Sequence, residues 1–173
     1  MHSELAQVFL GFSARKLEQY ATRIRDCLGL LSDEQLWHRS GEHENSVGNL
    51  VLHLCGNVRQ WIGHGVAGLP DVRDRRAEFA ARGGHSREEL AERLERTVRQ
   101  AVAILSTLAP ARLLESVVLQ GYQVTVMEAI YHAVEHFAQH TGQIIYATKR
   151  FAGADLGFYK HLDRGGAPAD PTP

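Results

Sequence analysis

Three histidines stand four residues apart in the stretch HAVEHFAQHTGQII: His132, His136 and His140. A helix turns about 100° per residue, so histidines at i and i+4 project from one flank on successive turns, with Cβ atoms roughly 6 Å apart. Two imidazoles at that spacing can share one ion at about 2.1 Å per Zn–N bond. The apolar stripe of this helix is Val126, Ile130, Ala133, Phe137, Ile144 and Thr148. His140 sits nearest its edge, His136 a little further round and His132 furthest out, so His136 and His140 form the better ligand pair. Gln143 follows on the same flank. An i, i+4 histidine pair also arises where imidazoles are merely hydrogen-bonded at a helix boundary, and spacing alone leaves both readings open. There is no HExxH, so the zinc-protease arrangement with a glutamate base inside the pair is absent. Glu135 turns away from the pair and reads as a solvated charge.

A helix pair leaves coordination incomplete, and a third donor must come from another element. His53 is the leading candidate. It borders the apolar stripe of the helix in NSVGNLVLHLCGNVRQWIGHGV, aligned with Asn57, Gln60 and His64. That polar seam matches the one carrying His136 and His140, and facing seams between helices are where bundles build metal sites. A lone histidine at such an edge is more often a hydrogen-bonded boundary residue than a ligand. Cys55 projects about 200° round the helix from His53 and reads as packing. Asn57 reads as a polar group satisfied between helices, or alternatively as a partner of a metal ligand, and Trp61 and Tyr131 as core or interface aromatics. Arg73, Arg75 and Arg76 lie in a loop; guanidinium forks suit a substrate carboxylate or phosphate, against the simpler reading of a solvated loop.

Four long amphipathic helices must position these residues. The first spans 4–28, with Leu5, Val8, Phe9, Phe12, Leu17, Tyr20, Ile24 and Leu28 at three- and four-residue steps and Gly29 able to end it. A short piece follows at SDEQLW, where Ser32 and Gln35 form a capping box. The second long helix begins at Asn45 or Ser46. Residues 63–84 have no sustained period and read as a long loop, with a helical turn near Arg76 to Ala81; a loop this long is a candidate wall of a site. The third helix is capped by Ser86 and Glu89 and stops before Pro110. ESVVLQGYQVT is β-favouring around a Gln120-Gly121 turn and predicts a hairpin or extended connector. The fourth helix is boxed by Thr125 and Glu128 and runs to Gly153. DLGFYKHL is expected to fold back with its aromatics, and 163–173 to be a flexible tail. The fold class is therefore all-α, a four-helix bundle in one domain over 1–162.

Composition narrows the function classes. The 173 residues are 44% hydrophobic, and nineteen basic against twenty acidic residues leave a formal charge of −1. That gives no electrostatic footprint for nucleic acid or an anionic membrane. No secretion signal or spanning segment is apparent, so a cytoplasmic protein is expected. Cys27 and Cys55 are far apart, without a CxxC pair, which excludes a disulfide framework and a cysteine-based zinc module. A small molecule or a second copy of the chain is the expected partner.

NSVGNLVLHLCGNVRQWI followed by HAVEHFAQHTGQIIYATK resembles the DinB-like superfamily of bacterial four-helix proteins, in particular a branch with a GLPDVRDRRAEF-like loop and a DLGFYKHL-like end. The resemblance covers roughly residues 5–162. It implies an up-down-down-up bundle with a long connection between the second and third long helices, and frequent homodimers. It also implies one divalent metal held by His53, His136 and His140, with Gly142-Gln143 as the following dipeptide and His132 outside the triad; from the all-nitrogen donor set Zn2+ is expected first and Ni2+ next. The implied chemistry is transfer from a low-molecular-weight thiol, as in the thiol-dependent S-transferases to which this branch is related; Arg73 and Arg75, from their guanidinium chemistry, are the candidate substrate contacts. The alternatives are a metal-dependent hydrolase and a non-catalytic metal-binding or sensor module.

Overall fold

The computed structural model describes residues 2–153 and 155–163; the expected tail, from residue 164 onward, lies outside them. Helices α1 (His2–Leu28), α3 (Val47–Val58), α5 (Arg87–Thr107) and α6 (Val126–Ala152) dominate, with short helices α2 (Asp33–Trp37), α4 (Arg75–Ala80) and α7 (Lys160–Asp163). A π-helical segment, Arg59–Val66, prolongs α3, and a 3-10 turn at Pro110–Leu114 precedes strands β1 (Ser116–Leu119) and β2 (Tyr122–Thr125). The strands form one antiparallel hairpin, with Leu119 paired to Tyr122 across Gln120-Gly121. Both turn residues have positive φ, 52° and 84°, as a tight two-residue hairpin loop requires. No helix among the described residues is long and apolar enough to cross a membrane.

Capping starts the helices where the sequence places it. Ser32, Ser46, Ser86 and Thr125 each accept from the backbone three residues on, and Gln35, Asn49, Glu89 and Glu128 reach back. Gly153, at φ 58°, closes α6 by donating its N–H to Lys149 O.

Helix α1 packs against α5 and α6, and α3 packs against both as well. All twelve residues of α3 are buried, which makes it the central element and explains why it reads as nearly all apolar. The core face of α1 differs from the expected one. Leu5, Val8 and Phe12 are exposed, while Ala6, Leu10, Ser13, Leu17, Ile24 and Leu28 face inward. Two apolar stripes start this helix, and the one carrying Ala6 and Leu10 is taken into the packed interface. Tyr131 is likewise exposed, whereas Trp61 is buried. The C-terminal aromatics do fold back: Arg23 lies over the Phe158 and Tyr159 rings and donates to the Tyr159 hydroxyl.

The short helix α2 docks through Trp37, whose indole donates to His85 O at 3.0 Å and covers Gly48 so closely that a Cβ there would stand 2.8 Å from the ring. Gly48→Ala should therefore cost about 1–3 kcal/mol of stability through overpacking. A chemical denaturation curve with a wild-type midpoint would show that the indole gives way freely.

Candidate metal centre

Helix α3 carries His53 in its interior, and α6 carries His136 and His140 on successive turns opposite it. The Nε2 atoms of His53 and His136 are 3.0 Å apart, and those of His136 and His140 are 3.2 Å apart. Together the three form a cluster able to hold a metal ion, with ligand atoms all within 4.8 Å of one another. Nitrogens bound to one tetrahedral ion at about 2.1 Å would be about 3.4 Å apart, so the observed spacing fits a small adjustment around a cation.

The far side of each outer ring decides which nitrogen is available. His53 Nδ1 is 2.9 Å from Glu78 Oε2. Burial alone would raise the Glu78 carboxyl, but the bonds from His53 and Arg73 prevail and hold it below its ordinary value. An ionised carboxylate only accepts, so His53 Nδ1 carries the proton and Nε2 presents a lone pair. Arg73 Nη2 also approaches Nδ1, at 3.1 Å, but both groups are then donors, and its productive bond is to Glu78 Oε2 at 3.0 Å. His140 Nδ1 donates to Gln143 Oε1 at 2.7 Å, which leaves its Nε2 as a second lone pair. Both lone pairs face His136 Nε2, which can supply one proton at most. A shared cation resolves that conflict, and this is the observation by which the residues fit a metal.

Burial disfavours the charged forms of His136 and His140. His136 is lowered to about 3, first by burial and then by His140, His53 and His132. His140 is also lowered by burial, against the opposing bond to Gln143. Neutral imidazole is the ligating form. His136 Nδ1 and Asn57 Oδ1 are buried without a hydrogen-bond partner among the described residues, so the expectation of a satisfied Asn57 does not hold for its carbonyl oxygen.

The other expected seam residues go elsewhere. After Val58 the backbone widens into the π-helical segment, which breaks the 3.6-residue register. His64 consequently points to the loop, its Nδ1 donating to Leu69 O at 2.7 Å, and Gln60 binds Asp71, Arg73 and Gln120. His132 packs against Trp61 with ring centroids 3.9 Å apart and the planes tilted by 37°, and it stands outside the ligand cluster. Cys55 is fully buried and its thiol is pushed up to about 11, chiefly by burial.

The loop arginines divide. The Arg73 side chain is 3% exposed, and its fork is taken up by Glu78 and Gln60. Arg75 lies over the Phe79 ring, and that ring in turn packs 4.5 Å from the His53 imidazole. The π-helical segment takes in the first residues of the expected 63–84 loop, and the connection from residue 67 to 84 is the wall behind His53, anchored by two bonds from the Asn49 amide to Glu78 O and Ala81 O. Glu78 is the residue that sequence reasoning missed. Its signal is a single carboxylate on the short helical turn of an arginine-rich loop, with Gly56 one turn beyond His53 on α3.

On the other side, a cleft of about 570 Å³ runs along α6, lined by Glu44, Asn45, Gln139, Gly142, Gln143 and Tyr146. Through Gln143 it adjoins His140.

No functionally curated protein matches the chain. Solved structures share its fold, two of them with the following likeness. One is a conserved protein of Enterococcus faecalis, 18% identical with a TM-score of 0.68 over 82% of this chain and 96% of that one. The other is a DinB-like protein, YjoA, of Bacillus subtilis, 18% identical with a TM-score of 0.65 over 85% and 96%. The mostly helical architecture with its small hairpin is thus of the DinB-like kind. With its residues 4–161 matched, the chain belongs to the family described as "Protein of unknown function (DUF1572)".

Proposed function

We propose that this protein binds one divalent metal ion through His53, His136 and His140 and uses it to activate a small thiol for transfer to an electrophilic substrate. The observation that carries the metal site is the convergence of three Nε2 atoms whose outer rings are pinned through Nδ1 by Glu78 and Gln143. A cation held by three neutral imidazoles supplies a Lewis-acidic open position that acidifies a thiol or water placed there. Among the described residues no fourth His, Cys, Asp or Glu joins the cluster, and a structural zinc would normally close its shell with one. Zinc and nickel both suit an all-nitrogen donor set.

The chain's own residues do the holding. Glu78 and Gln143 orient two of the ligands, burial keeps His136 and His140 neutral, and the Gln143-lined cleft offers substrate an approach beside His140. The thiol has to come from a small molecule. Cys55 and Cys27 are both buried, their thiols raised chiefly by burial, and protonated thiols are poor nucleophiles. Arg75, on the exposed side of the His53 wall, is the better placed of the two candidate arginines for a substrate anion. An up-down-down-up bundle that pairs as a homodimer belongs to the same reading, supported by the apolar surface of Leu5, Val8 and Phe12 on α1.

Elemental analysis of the purified protein is expected to find one divalent ion per chain. The loaded protein, mixed with a bimane electrophile and a panel of small thiols, should consume at least one thiol faster than the metal-free protein does. Turnover of ester or amide substrates that ignores every thiol would replace S-transfer with hydrolysis, and absence of bound metal would remove the site altogether.

A further inference from the structure

We infer that Glu78 is a positioning residue for the metal centre: held by Arg73, its carboxylate fixes the His53 ring so that Nε2 faces the ion. The inference rests on the three-histidine reading and extends it to a residue of the loop.

Three independent features support it. Glu78 is 8% exposed although it lies in a loop helix of six residues, and its carboxylate is taken inward rather than to solvent. Its two oxygens are fully engaged: Oε1 accepts from Arg73 Nε at 2.9 Å, and Oε2 accepts from Arg73 Nη2 and His53 Nδ1 at 3.0 and 2.9 Å. A fork-to-fork pair of this kind fixes direction as well as distance. The third feature is Gly56. It lies one turn beyond His53 on α3, and a Cβ built there would collide with Glu78 Oε1 and stand 3.1 Å from Arg73 Nε. The glycine is therefore the cradle that lets the carboxylate reach the imidazole.

The support extends outward. Arg73 Nη1 donates to Gln60 Oε1 at 2.9 Å, and the same oxygen accepts from Gln120 Nε2 at 2.7 Å. Gln120 is the only non-glycine residue with positive φ among the described residues, so the hairpin tip, the π-helical segment and the loop all brace one ligand. Carboxylate partners of ligating histidines set the tautomer and raise ligand basicity, and their loss typically costs about 10–100-fold in metal affinity.

The experiment is titration of the full-length metal-free protein with Co2+, read by its visible absorption, and with Zn2+ against a chromophoric chelator. Glu78→Ala is expected to weaken both by about 10–100-fold and to shift the cobalt bands. Gly56→Ala, which leaves every ligand and Glu78 in the chain, should reproduce the shift. Glu78→Gln keeps an acceptor without the charge and should fall between. Circular dichroism of each metal-free variant confirms that helix content is retained. Wild-type affinity and an unchanged cobalt spectrum in both Glu78→Ala and Gly56→Ala would overturn the role of Glu78 alone. Failure of the wild-type protein to bind either ion would overturn the metal site itself, and this inference with it.

Discussion

Replacing His136 with alanine is expected to abolish tight divalent-metal binding, a larger loss than any other single change at the site. Its Nε2 is the atom common to both short contacts, 3.0 Å from His53 and 3.2 Å from His140. Without it the two remaining nitrogens belong to different helices and no longer share a neighbour. Removing a carboxylate partner of a ligand typically costs about 10–100-fold, and removing the central ligand should exceed that. The variant should fold, because His136 is only partly buried and its Nδ1 makes no hydrogen bond that would be lost. His132→Ala is the matched comparison, since it deletes an imidazole from the same helix one turn away and should retain the ion. Elemental analysis and chelator competition on the two variants give the answer. Full metal content in His136→Ala would sink the assignment.

Much of this histidine cluster is legible in the sequence. The i, i+4 pair on α6 and the lone histidine on the buried helix come together because helical periodicity sets which residues share a flank, and periodicity is carried by the sequence itself. Caps were equally legible, since Ser32, Ser86 and Thr125 interact with residues three positions on. What could not be read was long-range or arose where regularity fails. Glu78 reaches His53 across 25 residues and through a space that exists only because Gly56 has no side chain. His64 looked aligned with His53 on an ideal helix, but the π-helical segment from Arg59 onward turned it toward Leu69. The first turns of α1 offered two apolar stripes, and only packing against α5 and α6 selected Ala6 and Leu10 over Leu5 and Val8. Arg73 illustrates the same limit. Guanidinium chemistry suggested an anion partner, and the sequence had no way to show that the partner was the chain's own carboxylate.

Phe137→Ala should cost more stability than Gly48→Ala, and the metal should partly reverse the loss. Phe137 is fully buried on α6, directly after His136, with its ring stacked 6.2 Å from that of Tyr20 on α1 at 17° between planes. Truncating a buried phenylalanine costs about 3–5 kcal/mol in lost transfer energy and residual cavity. For a chain of this size each kcal/mol lowers the melting temperature by about 2–4 °C, so a fall of roughly 6–20 °C is expected. An ion that binds only the folded state adds about 2.7 kcal/mol at one hundred times its Kd. Thermal melts with and without Zn2+ should therefore show both wild type and Phe137→Ala rising by roughly 5–11 °C on saturation, while His136→Ala does not rise. The reason is topological: His53 and His136 are 83 residues apart in sequence on different helices, so a bridging ion would join two elements that unfolding separates. A melting temperature indifferent to metal in the wild-type protein would mean that the three imidazoles do not hold an ion in the native state, however close their nitrogens lie.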